Sequence, residues 1–166
     1  NAVERMERLI DDMLTLARQG AVVGDPSAVD PVPIVQDAWA HTGTADATIR
    51  LEPLPDTVVA DPDRLRELFE NLFRNIKEHC GEDVTVTVRP TDTGFEVSND
   101  GPEMPTSVAE SLFKDSFGAD RVGLGLLIIE RVVSGHGWEG KLETTPEETT
   151  FRFSGVGTAT KAGNTV

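Results

Sequence analysis

In FENLFRNIKEHC, residues 69–80, two asparagines stand four residues apart, Asn71 and Asn75, and His79 follows after the same interval. On a helix that spacing puts the three side chains on one stripe, since residues four apart lie one turn above another at about 100° per residue. Asparagine is a mediocre helix former because its short amide competes for nearby backbone groups. Held rigidly on a helix, however, an amide oxygen can ligate a hard cation such as Mg²⁺, which takes one or two protein ligands beside phosphate oxygens. On the spacing alone, two polar residues on a helix shoulder are the simpler account.

Two further stretches offer chemistry. VSNDGPEMP, residues 97–105, places Asp100 at the end of a strand and Gly101 after it. Such a carboxylate can accept a hydrogen bond from an exocyclic amine, while the glycine lets a planar base approach the backbone; Asp-Gly-Pro is equally an everyday turn. DRVGLGLLIIERV, residues 120–132, puts Gly123 and Gly125 where a loop enters a helix, so backbone N–H groups and the helix dipole would face a phosphate. It is not the dinucleotide fingerprint, because no strand leads into it and the third glycine is absent.

The elements that must position these residues follow from periodicity. Leu65, Leu68, Leu72 and Ile76 form the buried stripe of the asparagine helix, which Asp61 caps, Pro62 opens and Gly81 closes. Residues 84–89 and 94–99 alternate apolar and polar around TDTG and predict a hairpin, as do 138–144 and 149–154. Shorter strands are expected at 47–52 and 57–60, and helices at Ile34–Ala40 with Trp39 inward, around Ser107–Phe113, and over Leu124–Ser134. This mixture predicts an α+β fold, a two-layer α/β sandwich with helices on one face of a mixed or antiparallel sheet. Ahead of it, Val3, Met6, Ile10, Met13 and Ala17 repeat with the alternating three-four spacing of a helix seam. The expected organisation is a bundle helix over 1–22, a linker over 23–32, the sandwich over 33–155 and a disordered tail over 156–166.

Composition excludes some functions. Asp and Glu number 29 against 15 Lys and Arg, a formal charge of -14, which argues against a nucleic-acid or anionic-membrane partner. Acidity spread along the chain, with Lys scarce and Thr plentiful, suggests a halophilic setting in which salt screens self-repulsion. Cys80 is the one cysteine, so no internal disulfide forms and a reducing, cytoplasmic compartment is expected. No His, Cys or acidic cluster has zinc-ligand spacing. The apolar run at residues 122–129 is too short to cross a bilayer. Asn1 already lies in a helical pattern, which predicts a fragment of a longer protein.

An asparagine helix, a strand ending in Asp-Gly, a loop with Phe113 and Phe117 and a Gly-Leu-Gly helix start, in that order, resemble the ATP-binding domain of sensor histidine kinases, a fold shared with the gyrase, Hsp90 and MutL ATPases (the Bergerat or GHKL fold). The resemblance covers residues 33–155, and ERMERLIDDMLTLAR looks like the second helix of the kinase dimerisation hairpin. It implies ATP and Mg²⁺ as cofactors, with Asn75 the Mg²⁺ ligand, Asn71 near the phosphates, His79 near the sugar and phosphates, and Glu78 beside it. It implies Asp100 on the adenine amino group with Gly101 adjacent. Gly123, Leu124 and Gly125 would hold phosphates at the base of a mobile lid that Phe113 and Phe117 anchor. Related ATPases carry a general-base Glu where this chain has Asn71, so phosphoryl transfer to histidine is implied rather than direct hydrolysis. The family's reactive histidine lies on the hairpin's first helix, so this chain would be inactive alone; its partners would be that histidine, a response regulator and a second copy in a homodimer. Glu103 replaces a usual glycine, and Arg121 stands where a glycine is common and could pair with the γ-phosphate. Those departures favour the alternative, a degenerate pseudokinase acting by dimerisation or regulator docking, which the three polar matches Asn71, Asn75 and Asp100 oppose.

Overall fold

A computed structural model describes residues 2–8, 10, 23–42, 47–80, 83–102 and 119–159, and for 78–80 and 119–125 the backbone alone. Helix α1 is described over residues 2–8 and 10. There follow β1 (Ser27–Val29), α2 (Pro31–His41), β2 (Thr48–Leu51), β3 (Thr57–Ala60), α3 (Pro62–Cys80), β4 (Thr85–Thr91), β5 (Gly94–Asn99), α4 (Ala119–Gly135), β6 (Glu139–Thr144), β7 (Thr149–Ser154) and β8 (Thr158–Ala159).

Local chemistry sets the helix starts. Asp30 caps α2 by accepting from the Val32 N–H at 3.0 Å, with proline in the first turn. Asp61 caps α3 in the same way, its Oδ1 accepting from the N–H groups of Asp63 at 3.0 Å and Arg64 at 3.4 Å. Leu65, Leu68, Phe69, Leu72, Phe73 and Ile76 then give α3 a wide buried face.

The main sheet has the order β2-β4-β5-β7-β6, with β2 and β4 parallel and the other neighbours antiparallel, so it is mixed, as expected. Its apolar face carries Val86, Val88, Phe95, Val97, Leu142, Phe151 and Phe153, all buried. Helix α3 lies on that face: Phe69 meets Phe95 at 5.4 Å between ring centroids. Helices α2 and α4 both pack on α3, with Trp39 of α2 edge-on to Phe73 at 5.1 Å. The opposite face is polar. Across it Glu96 is shared by Arg89 (3.3 Å) and Arg152 (2.9 Å), Arg152 also reaches Glu143 (2.7 Å), and Arg89 reaches Glu52 (3.5 Å), an ion-pair ladder spanning four strands and the residue that follows β2. A two-layer sandwich results from one apolar face per sheet.

Three features differ from the sequence expectation. Residues 27–29, expected within a linker, are β1, paired antiparallel with β3, and α2 begins at Pro31. Thr158 and Ala159, expected in a disordered tail, form β8 on the other side of β3. Both are segments of two or three residues, too short to carry a strand signal, and they gain their hydrogen bonds only because β3 offers two open edges. Third, α4 begins at Ala119 rather than Leu124. The expected helix around Ser107–Phe113 lies outside the described residues.

Candidate functional site

Helix α3 is the scaffold. Asn71 and Asn75 lie about 160–200° round it from Phe73, the side on which α2 packs. They are not solvated: Asn71 is 5 % exposed and Asn75 8 %. Asn71 Nδ2 donates to the Glu67 carbonyl one turn back at 2.7 Å, but its Oδ1 is buried with no hydrogen-bond partner among the described residues. The buried Nδ2 of Asn75 likewise has none. Leaving a buried polar atom unpaired costs about 1–3 kcal/mol. Such amides could take a cation held beside phosphates: one oxygen has no partner among the described residues, and a half-turn of the Asn75 amide exchanges its nitrogen for its oxygen.

The end of β5 supplies a second wall. Strand side chains alternate, so Phe95, Val97 and Asn99 share the helix-facing side, and the register sets Asn99 opposite Val86 on β4 and Thr149 on β7. Asn99 is 4 % exposed, and its Oδ1 accepts from the Gly101 N–H at 3.0 Å. Asp100 is exposed, and its Oδ1 accepts from the Thr85 N–H at 2.7 Å, tying the end of β5 to the start of β4. Asn99 is therefore the polar side chain that the strand's pleat turns toward α3. Sequence reasoning passed over it in favour of its charged neighbour, although counting by twos from Phe95 would have found it. Gly101 stands beside both and is half-buried.

The remaining expected residues divide by what the structure describes. The backbones of Glu78 and His79 continue α3, and their side chains lie outside the description. Phe113 and Phe117 also lie outside the described residues. Arg121, Gly123, Leu124 and Gly125 all fall within α4, so the two glycines occupy helix interior rather than the loop before it. There the N–H of Gly123 points back along the helix to residue 119, and the free N–H groups belong to the first turn. The apolar period of residues 126–133 propagates backward through the glycines because each added residue gains a hydrogen bond once a nucleus exists. Since α4 packs on α3, this glycine-bearing turn and the asparagine shoulder belong to neighbouring helices. Among the described residues no His, Cys, Asp and Glu cluster could hold a metal ion, and no described helix is long and apolar enough to cross a membrane.

A mixed sheet covered on one face by helices, with buried amides on the central one, defines a two-layer α/β sandwich. Residues 60–158, more than half of the chain, match the family of histidine kinase-, DNA gyrase B- and HSP90-like ATPases, and the chain belongs to that family. It is 30 % identical to the probable sensor histidine kinase TcrY of Mycobacterium tuberculosis over 89 % of this chain and 35 % of TcrY. To the sensor histidine kinase ZraS of Klebsiella oxytoca it is 27 % identical over 86 % of this chain and 33 % of the relative. The chain thus spans about a third of the length of these relatives. Among solved structures, the mycobacterial sensor histidine kinase MprB superposes with a TM-score of 0.65 at 20 % identity, covering 81 % of this chain and 99 % of the other. Histidine kinase ThkA, in complex with the response regulator TrrA, gives 0.68 at 20 % identity, covering 99 % and 50 %. At that identity the structural likeness establishes the fold.

Proposed function

We propose that this chain is the ATP-binding catalytic part of a two-component sensor histidine kinase. It binds Mg·ATP and presents the γ-phosphoryl group to a histidine on an upstream helix of its own or a partner protomer. The orphaned amides of Asn71 and Asn75 carry this reading. Asn75 would hold Mg²⁺, whose charge offsets that of the phosphates, and Asn71 would contact a phosphate oxygen. Neither is a base. In transfer the terminal P–O bond to ADP breaks, a P–N bond to the acceptor imidazole forms, and the imidazole gives up its N–H proton; the chain's contribution is positioning and charge neutralisation. An aspartate on a response regulator would then take the phosphoryl group. In this reading the protein is a homodimer whose ATP-binding part works in the cytoplasm, and the 29 acidic residues suit work at high salt.

One observation favours the alternative, a domain that binds nucleotide feebly and acts by docking: α4 encloses Gly123 and Gly125, so their N–H groups must be released before they can hold a phosphate. Calorimetric titration with a non-hydrolysable ATP analogue and Mg²⁺, beside Asn75→Ala, separates the two. Saturable, Mg²⁺-dependent binding lost in the variant is expected. Binding should be followed by mixing the chain with a separate helical hairpin carrying the acceptor histidine and ATP labelled at the γ-phosphate. Acid-labile label on the hairpin supports the kinase; absence of binding by folded protein leaves the docking module.

A further inference from the structure

At the far end of the sandwich from Asn99, three segments meet on Asp61. Its Oδ1 caps α3, its Oδ2 accepts from the Gly24 N–H at 2.7 Å, and its own N–H donates to His136 Nε2 at 3.0 Å. Gly24 lies three residues before β1, and His136 is the residue after the last turn of α4. Approach to Gly24 is close enough that a Cβ there would stand 2.9 Å from Asp61 Oδ2. A carbonyl can only accept, so the 2.8 Å contact between His136 Nδ1 and the Val132 carbonyl fixes the proton on Nδ1 and leaves Nε2 as a bare acceptor. The ring is held in that pose by stacking on Trp138, 4.1 Å between centroids and 20° between planes.

We infer that Gly24, Asp61 and His136 form a latch that ties the segment after the first helix to α3 and α4, and that protonation of His136 opens it. The chemistry is local. A proton on Nε2 turns the acceptor into a second donor facing the Asp61 N–H. The imidazolium then competes for the nearest anion, the Asp61 carboxylate, and draws Oδ2 from the Gly24 N–H. Asp61 is the titratable group among the described residues whose charge bears on the ring; Trp138 and the Val132 carbonyl supply its other neighbours.

Burial lowers the His136 pKa below its ordinary 6.5, against smaller raising effects from the Val132 hydrogen bond and the Asp61 charge. The fold thus favours the neutral ring. With the folded pKa below the unfolded one, the latch's contribution to stability is complete above pH 6.5 and declines as the pH falls below it, levelling off under the folded pKa. Mild acidification would therefore uncouple the N-terminal segment from the sandwich. The regulatory meaning rests on the kinase reading, in which that segment joins the phosphoacceptor bundle to the sandwich; the latch itself needs no nucleotide.

Amide hydrogen exchange at Gly24, followed by NMR on the full 166-residue chain and corrected for intrinsic rates, tests it. Between about pH 7.5 and about pH 5.5, protection should fall, by up to roughly tenfold. His136→Gln, whose amide oxygen can accept from Asp61 without titrating, should keep protection at both pH values, and Gly24→Ala should lack it at both. Protection that stays constant in the wild type, that falls equally in His136→Gln, or that survives Gly24→Ala overturns the latch. Titrating the same samples with Mg²⁺ and the ATP analogue keeps the readings apart. Loss of nucleotide binding with pH-dependent Gly24 exchange refutes the kinase alone, and binding with constant exchange refutes the latch alone.

Discussion

If Asn75 is kept for a ligand, removing its amide should stabilise the empty protein. Its Nδ2 is buried without a partner among the described residues, on a side chain 8 % exposed. Relief of that unpaired donor is worth about 1–3 kcal/mol. Replacing asparagine by leucine in a helix adds a few tenths of a kcal/mol from propensity, and filling the shoulder with apolar atoms contributes about 25 cal/mol per Å². Crowding from the larger side chain offsets part of this, by about 1 kcal/mol. Asn75→Leu should thus gain about 2 kcal/mol without nucleotide, raising Tm by roughly 4–8 °C for a domain of this size. Mg·ATP at a hundred times Kd adds about 2.7 kcal/mol to the wild type and nothing to the variant. The order of stability should therefore reverse between the two conditions. Thermal unfolding by circular dichroism, with and without Mg·ATP, reads both, and Asn75→Ala guards against overpacking as a separate cause. Should both variants prove less stable than wild type when empty, the amide is a structural group with a partner, and the reasoning fails.

Other outcomes follow from the same geometry. Asn99→Ala should weaken nucleotide binding in calorimetry at least tenfold, whereas Asp100→Ala should leave affinity near wild type and cost about 1 kcal/mol of stability through the Thr85 N–H it abandons; the opposite ranking would make Asp100 the ligand. Asp61→Ala removes the cap of α3 and the bond to Gly24, and urea unfolding should show a loss of about 1–2 kcal/mol. A Cβ on Gly94 would collide with the Phe153 carbonyl oxygen of the neighbouring strand, so Gly94→Ala should cost about 1–3 kcal/mol or more in the same assay with the nucleotide site unaltered in sequence.

The sequence by itself determined the parts governed by local pattern. Leu65 to Ile76 at helical spacing, Asp61 before Pro62, and the alternation on either side of TDTG fix α3 and the β4–β5 hairpin, because periodicity and caps act over a few residues. The asparagine pair was legible for the same reason: a poor helix former recurring at one-turn spacing stands out. Tertiary structure alone decided what has no local signature. Residues 27–29 and 158–159 become strands only through the edges of β3. Helix α4 reaches back over Gly123 and Gly125 despite an intrinsic cost near 1 kcal/mol per glycine, as a continuation of the packed turns at 126–133. The pairing of Arg152 with Glu96, and the meeting of Gly24, Asp61 and His136, join residues far apart in sequence. Composition shows the charges and the histidine, but only the closed sandwich sets the Gly24 N–H opposite Asp61 and the Asp61 N–H opposite His136.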